Sequence, residues 1–180
     1  MPVRIVFETH STSEDNEAGI ATGWLPGRLS ELGRRRAVEL GARRRDDRIH
    51  TVFCSDLDRA IETASIAFGG SGLPILLDWR LRECDFGAKN GSTAAEVQST
   101  RADHVDHPYP GGESWREAVS RVGRFLRDLP VRWDSKRILV IGHRSTYFAL
   151  QHFLGGTPLD ELVRRDFVWQ EGWEYELPSG

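Results

Sequence analysis

Short apolar runs alternating with helix-periodic stretches set the tightest limit on what this chain can fold into. Val3–Phe7, Thr51–Cys54, Pro74–Leu77 and Arg137–Gly142 are brief and mostly apolar, as buried strands are. Ser30 opens a helical pattern to about Arg45, with Leu32, Ala37, Leu40 and Gly41 facing inward. Asp56 is expected to cap the next helix, whose apolar stripe is Leu57, Ala60, Ile61, Ala64 and Phe68. Ser114 and Glu117 have the spacing of a capping box, and Val119, Val122, Leu126 and Leu129 follow at helical spacing. Ser145 opens a helix to about Leu154, and Pro158 stands at the first position of a short one. Trp173–Leu177 alternates like an edge strand. Strands alternating with helices predict an α/β sandwich with a mostly parallel central sheet.

Composition narrows the class further. With 180 residues the chain fits one domain able to bury a sizeable core, read as a single unit over 1–180. Hydrophobic residues are 39% and charged residues 28%, which argues against a disordered chain and a membrane protein. No apolar run approaches the about 18 residues of a spanning helix, and the first residues lack a signal-peptide pattern. A net charge of −3 gives no basic field for nucleic acid. Cys54 and Cys84 form no C-x-x-C pair, which suits a cytoplasmic protein with free thiols. Cys54 lies inside an apolar run and reads as a buried, inert thiol rather than a nucleophile. Arginine outnumbers lysine 22 to 2. That excess reads as a compositional habit, and anion chemistry would need particular arginines in particular places.

In a parallel sheet, ligands sit outside the carboxyl ends of the strands. Three such ends carry chemistry here. His10 follows the first strand among small hydroxyl residues, Arg59 falls in the first turn after the second, and His143 follows Gly142. Neutral imidazole can attack phosphorus. A second, protonated histidine and an arginine can neutralise phosphoryl oxygens, helped by helix N-termini. Glu83 is the candidate proton donor for a leaving alcohol. Singly, each has a plainer reading: a structural histidine, a solvated arginine, a surface glutamate. Their joint order is what signifies.

That order resembles the histidine phosphatase superfamily, which includes phosphoglycerate mutases and many small phosphatases. Glu8–Asn16 is similar to its opening motif, and Gly23–Gly33 to its next. Ser55–Ala64 is similar to its arginine-bearing motif and Leu81–Gly87 to the motif with its acid, while Pro110–Ser114 and Val140–His143 complete the series. The resemblance implies a phosphoglycerate mutase-like three-layer sandwich and a phosphatase acting on a small phosphorylated substrate. His10 would be the phosphorylated nucleophile. Arg59 and His143 would hold the phosphoryl group, with Asn16 as a neutral donor and Glu83 as acid and then base. Thr9, Ser11, Gly23, Trp24 and Arg144 join the expected phosphate or substrate contacts. No metal and no cofactor is implied. The protein would be a monomer or homodimer with neither nucleic acid nor membrane as partner.

The sequence departs from the family pattern at Thr9 and Ser11, where arginine and glycine are usual. Losing one charge-assisted contact is worth about 1.5–3 kcal/mol, or about 10- to 100-fold in rate. Arg144 is the expected replacement, with Arg28 and Arg82 as fallbacks. A substrate lid or insertion is expected at about 88–112, with His104 and His107 inside it. Trp24 and Trp115 could flank the pocket. The alternatives to a phosphatase are a degenerate phospholigand-binding module and, less favoured at this length, a phosphomutase.

Overall fold

The computed structural model describes residues 1–179. Five strands form one sheet: β1 (Val3–Thr9), β2 (Thr51–Cys54), β3 (Ile75–Leu77), β4 (Arg137–Gly142) and β5 (Trp173–Leu177), in the order β3-β2-β4-β1-β5. β4 is central and parallel to both β1 and β2, while β5 is an antiparallel edge on β1. This is the expected α/β sandwich with a mostly parallel sheet.

Helices cover both faces. Helices α2 (Glu31–Arg43) and α3 (Asp58–Phe68) pack on one face over Val6, Val52, Leu139 and Ile141. Helices α5 (Trp115–Trp133) and α6 (Arg144–Phe153) pack on the other over Ile5, Phe7, Ile138 and Val140. Alternation along each strand therefore sends successive side chains to opposite cores. Short helices α1 (Glu14–Ala18), α4 (Ala94–Thr100) and α7 (Leu159–Leu162) complete the chain. No helix is long and apolar enough to cross a membrane among the described residues.

Several sequence expectations shift by a residue or more. β1 continues to Thr9 because its parallel ladder with β4 runs on to Gly142. Helix α3 starts at Asp58 behind Leu57, and Asp56 does not cap it. The Asp56 carboxylate instead takes Arg82 in two hydrogen bonds of 2.7 Å each. Helix α6 starts at Arg144, one residue early, with His143 at its N-cap. The capping box at Ser114 and Glu117 forms as expected. Helix α1 was not expected; Ser13 and Asn16 cap it reciprocally. The 88–112 segment is packed, with Val97, Val105 and Tyr109 buried in the α5–α6 core.

Candidate active site

The carboxyl ends of β1 and β4 lie side by side, with Thr9 opposite Gly142. From there the chain leaves β1 toward α2 on one face and β4 toward α6 on the other. A crevice opens where such connections diverge. It holds a cleft of about 630 Å³, with His10, Glu83, His143 and Arg144 among its lining.

The last ladder bond places His10, whose N–H donates to the Gly142 carbonyl at 2.9 Å. Its Nδ1 lies 2.7 Å from the Ser11 carbonyl, an acceptor, so Nδ1 carries the proton and Nε2 keeps its lone pair. The Ser11 N–H donates to Thr63 Oγ1, which itself donates to the Arg59 carbonyl. Helix α3 thus braces the loop bearing His10. Desolvation, then Arg59, pushes the His10 imidazole down to about 3, so it is neutral near pH 7.

Arg59 is 2% exposed in the first turn of α3. Its Nη2 donates to the Gly23 carbonyl at 2.8 Å and lies 3.4 Å from His143 Nδ1. Its Nη1 is buried and has no hydrogen-bond partner among the described residues. A guanidinium with an uncompensated buried donor awaits an acceptor. Gly23 has φ +56°, and an added Cβ would stand 1.8 Å from Asn90 Oδ1. Only glycine fits there and still offers its carbonyl to Arg59.

His143 is also buried, its ring centroid 5.0 Å from that of His10. Because arginine only donates, Nδ1 of His143 is the acceptor and Nε2 donates to Ser55 Oγ at 2.6 Å. Burial, then the Arg59 charge, holds this imidazole well below its ordinary value.

The Glu83 carboxylate is fixed at the start of α6. Oε1 accepts from Ser145 N at 3.0 Å and Cys84 N at 2.9 Å, and Oε2 accepts from Arg144 N at 3.1 Å. Buried Arg121 holds the loop behind it. Its Nη1 donates to the Arg80 and Arg82 carbonyls and its Nη2 to that of Glu83, while Nε and Nη2 pair with Glu113. Trp24 Nε1 donates to the same Glu83 carbonyl at 2.6 Å.

The other expected contacts are distributed as follows. Asn16 lines the cleft, with Oδ1 accepting from Ser13 N. Thr9 and Ser11 also line it, though the Ser11 hydroxyl is turned onto the Gly33 carbonyl at 2.7 Å. Gly23 and Trp24 lie outside the lining and act through Arg59 and Glu83. Arg144 lines the cleft, its guanidinium 4.1 Å above the Phe167 ring. Arg28 is paired with Glu14 at the surface, and Arg82 with Asp56 over the Trp24 ring. Trp115 is core. His104 stacks on Tyr109. No residue of 88–112 lines the cleft; its outer wall comes from α2 and from Phe167, Trp169 and Glu171. Cys54 is buried and its thiol is pushed up to about 12, as an inert thiol should be.

Sequence reasoning did not single out Ser55, Thr63, Arg121 or Phe167 as working parts. Ser55 and Thr63 sat within the motif around Arg59, and their hydroxyls at a strand end and one turn along α3 were the available signal. Arg121 gave none, because an arginine in a helix reads as solvated.

Comparison with known proteins gives the site its context. The sequence profile of the histidine phosphatase superfamily (branch 1) matches residues 5–169. A 2,3-bisphosphoglycerate-dependent phosphoglycerate mutase of Streptococcus pyogenes serotype M5 (strain Manfredo) is 36% identical, covering 89% of this chain and 87% of that protein. The mycobacterial glucosyl-3-phosphoglycerate phosphatase structure superposes with a TM-score of 0.78 at 27% identity, covering 89% of this chain and 86% of that one. Bacillus stearothermophilus YhfR gives 0.81 at 26% identity, covering 94% and 88%. The chain belongs to the histidine phosphatase superfamily.

Proposed function

We propose that this superfamily member is a metal-independent phosphatase that hydrolyses a small phosphorylated metabolite through a phosphohistidine on His10. The carrying observation is the pairing of a neutral His10, its proton pinned on Nδ1 by Ser11, with the unpartnered buried Nη1 of Arg59. One group has an available lone pair, and the other is a cation lacking an acceptor.

In the proposed first step, Nε2 of His10 attacks phosphorus as the P–O bond to the alcohol breaks. Glu83 enters this step as the carboxylic acid and gives its proton to the departing oxygen, becoming the carboxylate. Arg59 and His143 bind the phosphoryl oxygens as charge spreads over them. In the second step Glu83 takes a proton from water, the new hydroxide oxygen bonds to phosphorus and the P–Nε2 bond breaks, releasing phosphate. The bound dianion reverses the electrostatics that keep the two imidazoles neutral, so His143 gains a proton-sharing partner when the site fills.

The similar phosphoglycerate mutase supports a second reading, phosphoryl return to another hydroxyl of the substrate instead of to water. A panel of phosphorylated metabolites distinguishes them: phosphate release marks the phosphatase, isomerised product without release the mutase. Acid-quenched incubation with 32P-labelled substrate should label the wild type and leave His10→Ala unlabelled. Activity that persists in His10→Ala overturns the nucleophile. Tight phosphoester binding without turnover would make the chain a binding module.

A further inference from the structure

We infer that Arg144 is a substrate-binding cation whose guanidinium, seated on Phe167, meets the phosphoryl oxygens alongside Arg59. The inference rests on the phosphatase reading above and adds a residue to its anion site.

The arginines around this crevice fall into two groups. Arg43 and Arg44 pair with Glu8, Arg82 with Asp56 and Arg121 with Glu113. Arg36, Arg59 and Arg144 have no carboxylate partner among the described residues; Arg36 is held by Thr12 Oγ1, whereas Arg59 reaches the cleft through His143 and Arg144 as lining. The Arg144 side chain makes no hydrogen bond among the described residues; its only specific contact is the face of Phe167 at 4.1 Å. Stacking on an aromatic face holds a guanidinium in place while leaving its N–H edges free. Phe167 is itself fixed edge-on by Tyr147, with ring centroids 5.2 Å apart. Burial lowers the Arg144 guanidinium to about 10, a desolvation cost that the charges of Glu83 and Asp166 offset only in part and a bound anion would offset further.

The strand register explains the room for it. Val3, Ile5 and Phe7 face the α5–α6 core, so alternation puts Thr9 on that same side, at the cleft end. A threonine there is short. The guanidinium arriving from α6 and the Phe167 ring then share this side of the cleft with it.

Arg144 also has separable halves. Its backbone N–H binds Glu83 Oε2, whereas its guanidinium does not touch that carboxylate. Replacing the side chain therefore removes the cation and leaves the hold on Glu83.

The experiment measures orthovanadate affinity by calorimetry, alongside phosphomonoester hydrolysis, for wild type, Arg144→Ala, Arg144→Lys and Phe167→Leu. Arg144→Ala is expected to weaken vanadate binding about 10- to 100-fold, as for one charge-assisted contact. Added guanidinium should restore part of that loss and leave the wild type unchanged, a response that a merely structural role would not give. Arg144→Lys should recover part of the affinity. Phe167→Leu, which keeps the charge and removes its seat, should lose about three- to tenfold. Vanadate affinity within twofold of wild type in folded Arg144→Ala overturns the inference. So does an affinity loss that guanidinium cannot rescue. If Arg144→Ala does not fold, Arg144→Lys and Phe167→Leu decide: wild-type affinity in both overturns it. A wild type that binds vanadate but hydrolyses no phosphomonoester overturns the phosphatase reading instead, and the binding comparison still judges Arg144.

Discussion

Ser55 Oγ accepts the Nε2 proton of His143 at 2.6 Å, and this bond aims the other ring nitrogen at Arg59. The serine sits at the end of β2 and the histidine at the end of β4, adjacent parallel strands. Ser55→Ala strands a buried N–H. Stability should fall by about 1–3 kcal/mol. The freed imidazole can turn, so kcat/KM should fall about tenfold or more. Urea unfolding and steady-state kinetics on one preparation check both effects, and unchanged kinetics would refute the orienting role.

Glu83→Gln keeps the volume but removes the proton that the leaving group needs. Hydrolysis of an alkyl phosphate should fall about 10²- to 10⁴-fold. A p-nitrophenyl ester, whose leaving group needs little protonation, should lose much less in the phosphorylation step. Equal losses with both esters in single-turnover measurements would rule out Glu83 as the acid.

Arg121→Met leaves the Glu113 carboxylate without its cation and takes one donor from each of three loop carbonyls, of which those of Arg82 and Glu83 keep Ser145 Oγ and Trp24 Nε1. Removing one partner of a buried pair costs about 3–5 kcal/mol. Thermal and denaturant unfolding should show the loss, and adding Glu113→Gln should recover part of it. Arg121→Lys should not restore stability fully, because one ammonium cannot reproduce the fork.

Acid sensitivity follows from the lowered histidines. His10 binds its proton only near about 3 in the folded state, and His143 is depressed likewise, while both titrate near 6.5 once unfolded. The unfolded chain thus takes up protons first. Their contribution is present above about pH 6.5 and is lost as pH falls toward the folded values. Tm measured between about pH 7 and 5 should fall, and less steeply with inorganic phosphate bound, because the anion raises both imidazoles. The same slope with and without phosphate would contradict this.

Gly33→Ala tests the brace under the His10 loop. An added Cβ would stand 1.8 Å from the Thr12 carbonyl, so backbone must shift. A destabilisation of about 1–3 kcal/mol is expected, with a fall in turnover because Ser11 is bonded to the same glycine's carbonyl. Circular dichroism melts and kinetics measure both, and wild-type turnover would show that the loop tolerates the shift.

Much of the fold was legible because buried parallel strands leave apolar runs that nothing else explains, as at Arg137–Gly142. His10, Arg59 and His143 were legible because their strand-end positions follow from those runs. The Asp56 cap failed because a nearby arginine competes for the carboxylate, and only tertiary structure reveals Arg82. That no residue of 88–112 lines the cleft has a similar reason. Polar residues in 88–112 concealed Val97, Val105 and Tyr109, which bury themselves, while α2 and the Phe167–Glu171 stretch wall the cleft. Arg121 was invisible since burial reverses the usual meaning of an arginine on a helix.

The central position of β4 has a consequence for how the molecule comes into being. β1 and β2 are made early but do not pair with each other; both pair with β4, which is synthesised late. A nascent chain ending before Arg137 lacks the strand that joins its two halves, so the sheet cannot close by local steps. Such non-local closure slows folding, and strand edges exposed meanwhile invite aggregation. Since His10 is set by its bond to Gly142, the nucleophile should be put in place in that same late event. Catalytic competence and completion of the sheet should then appear with one rate during refolding.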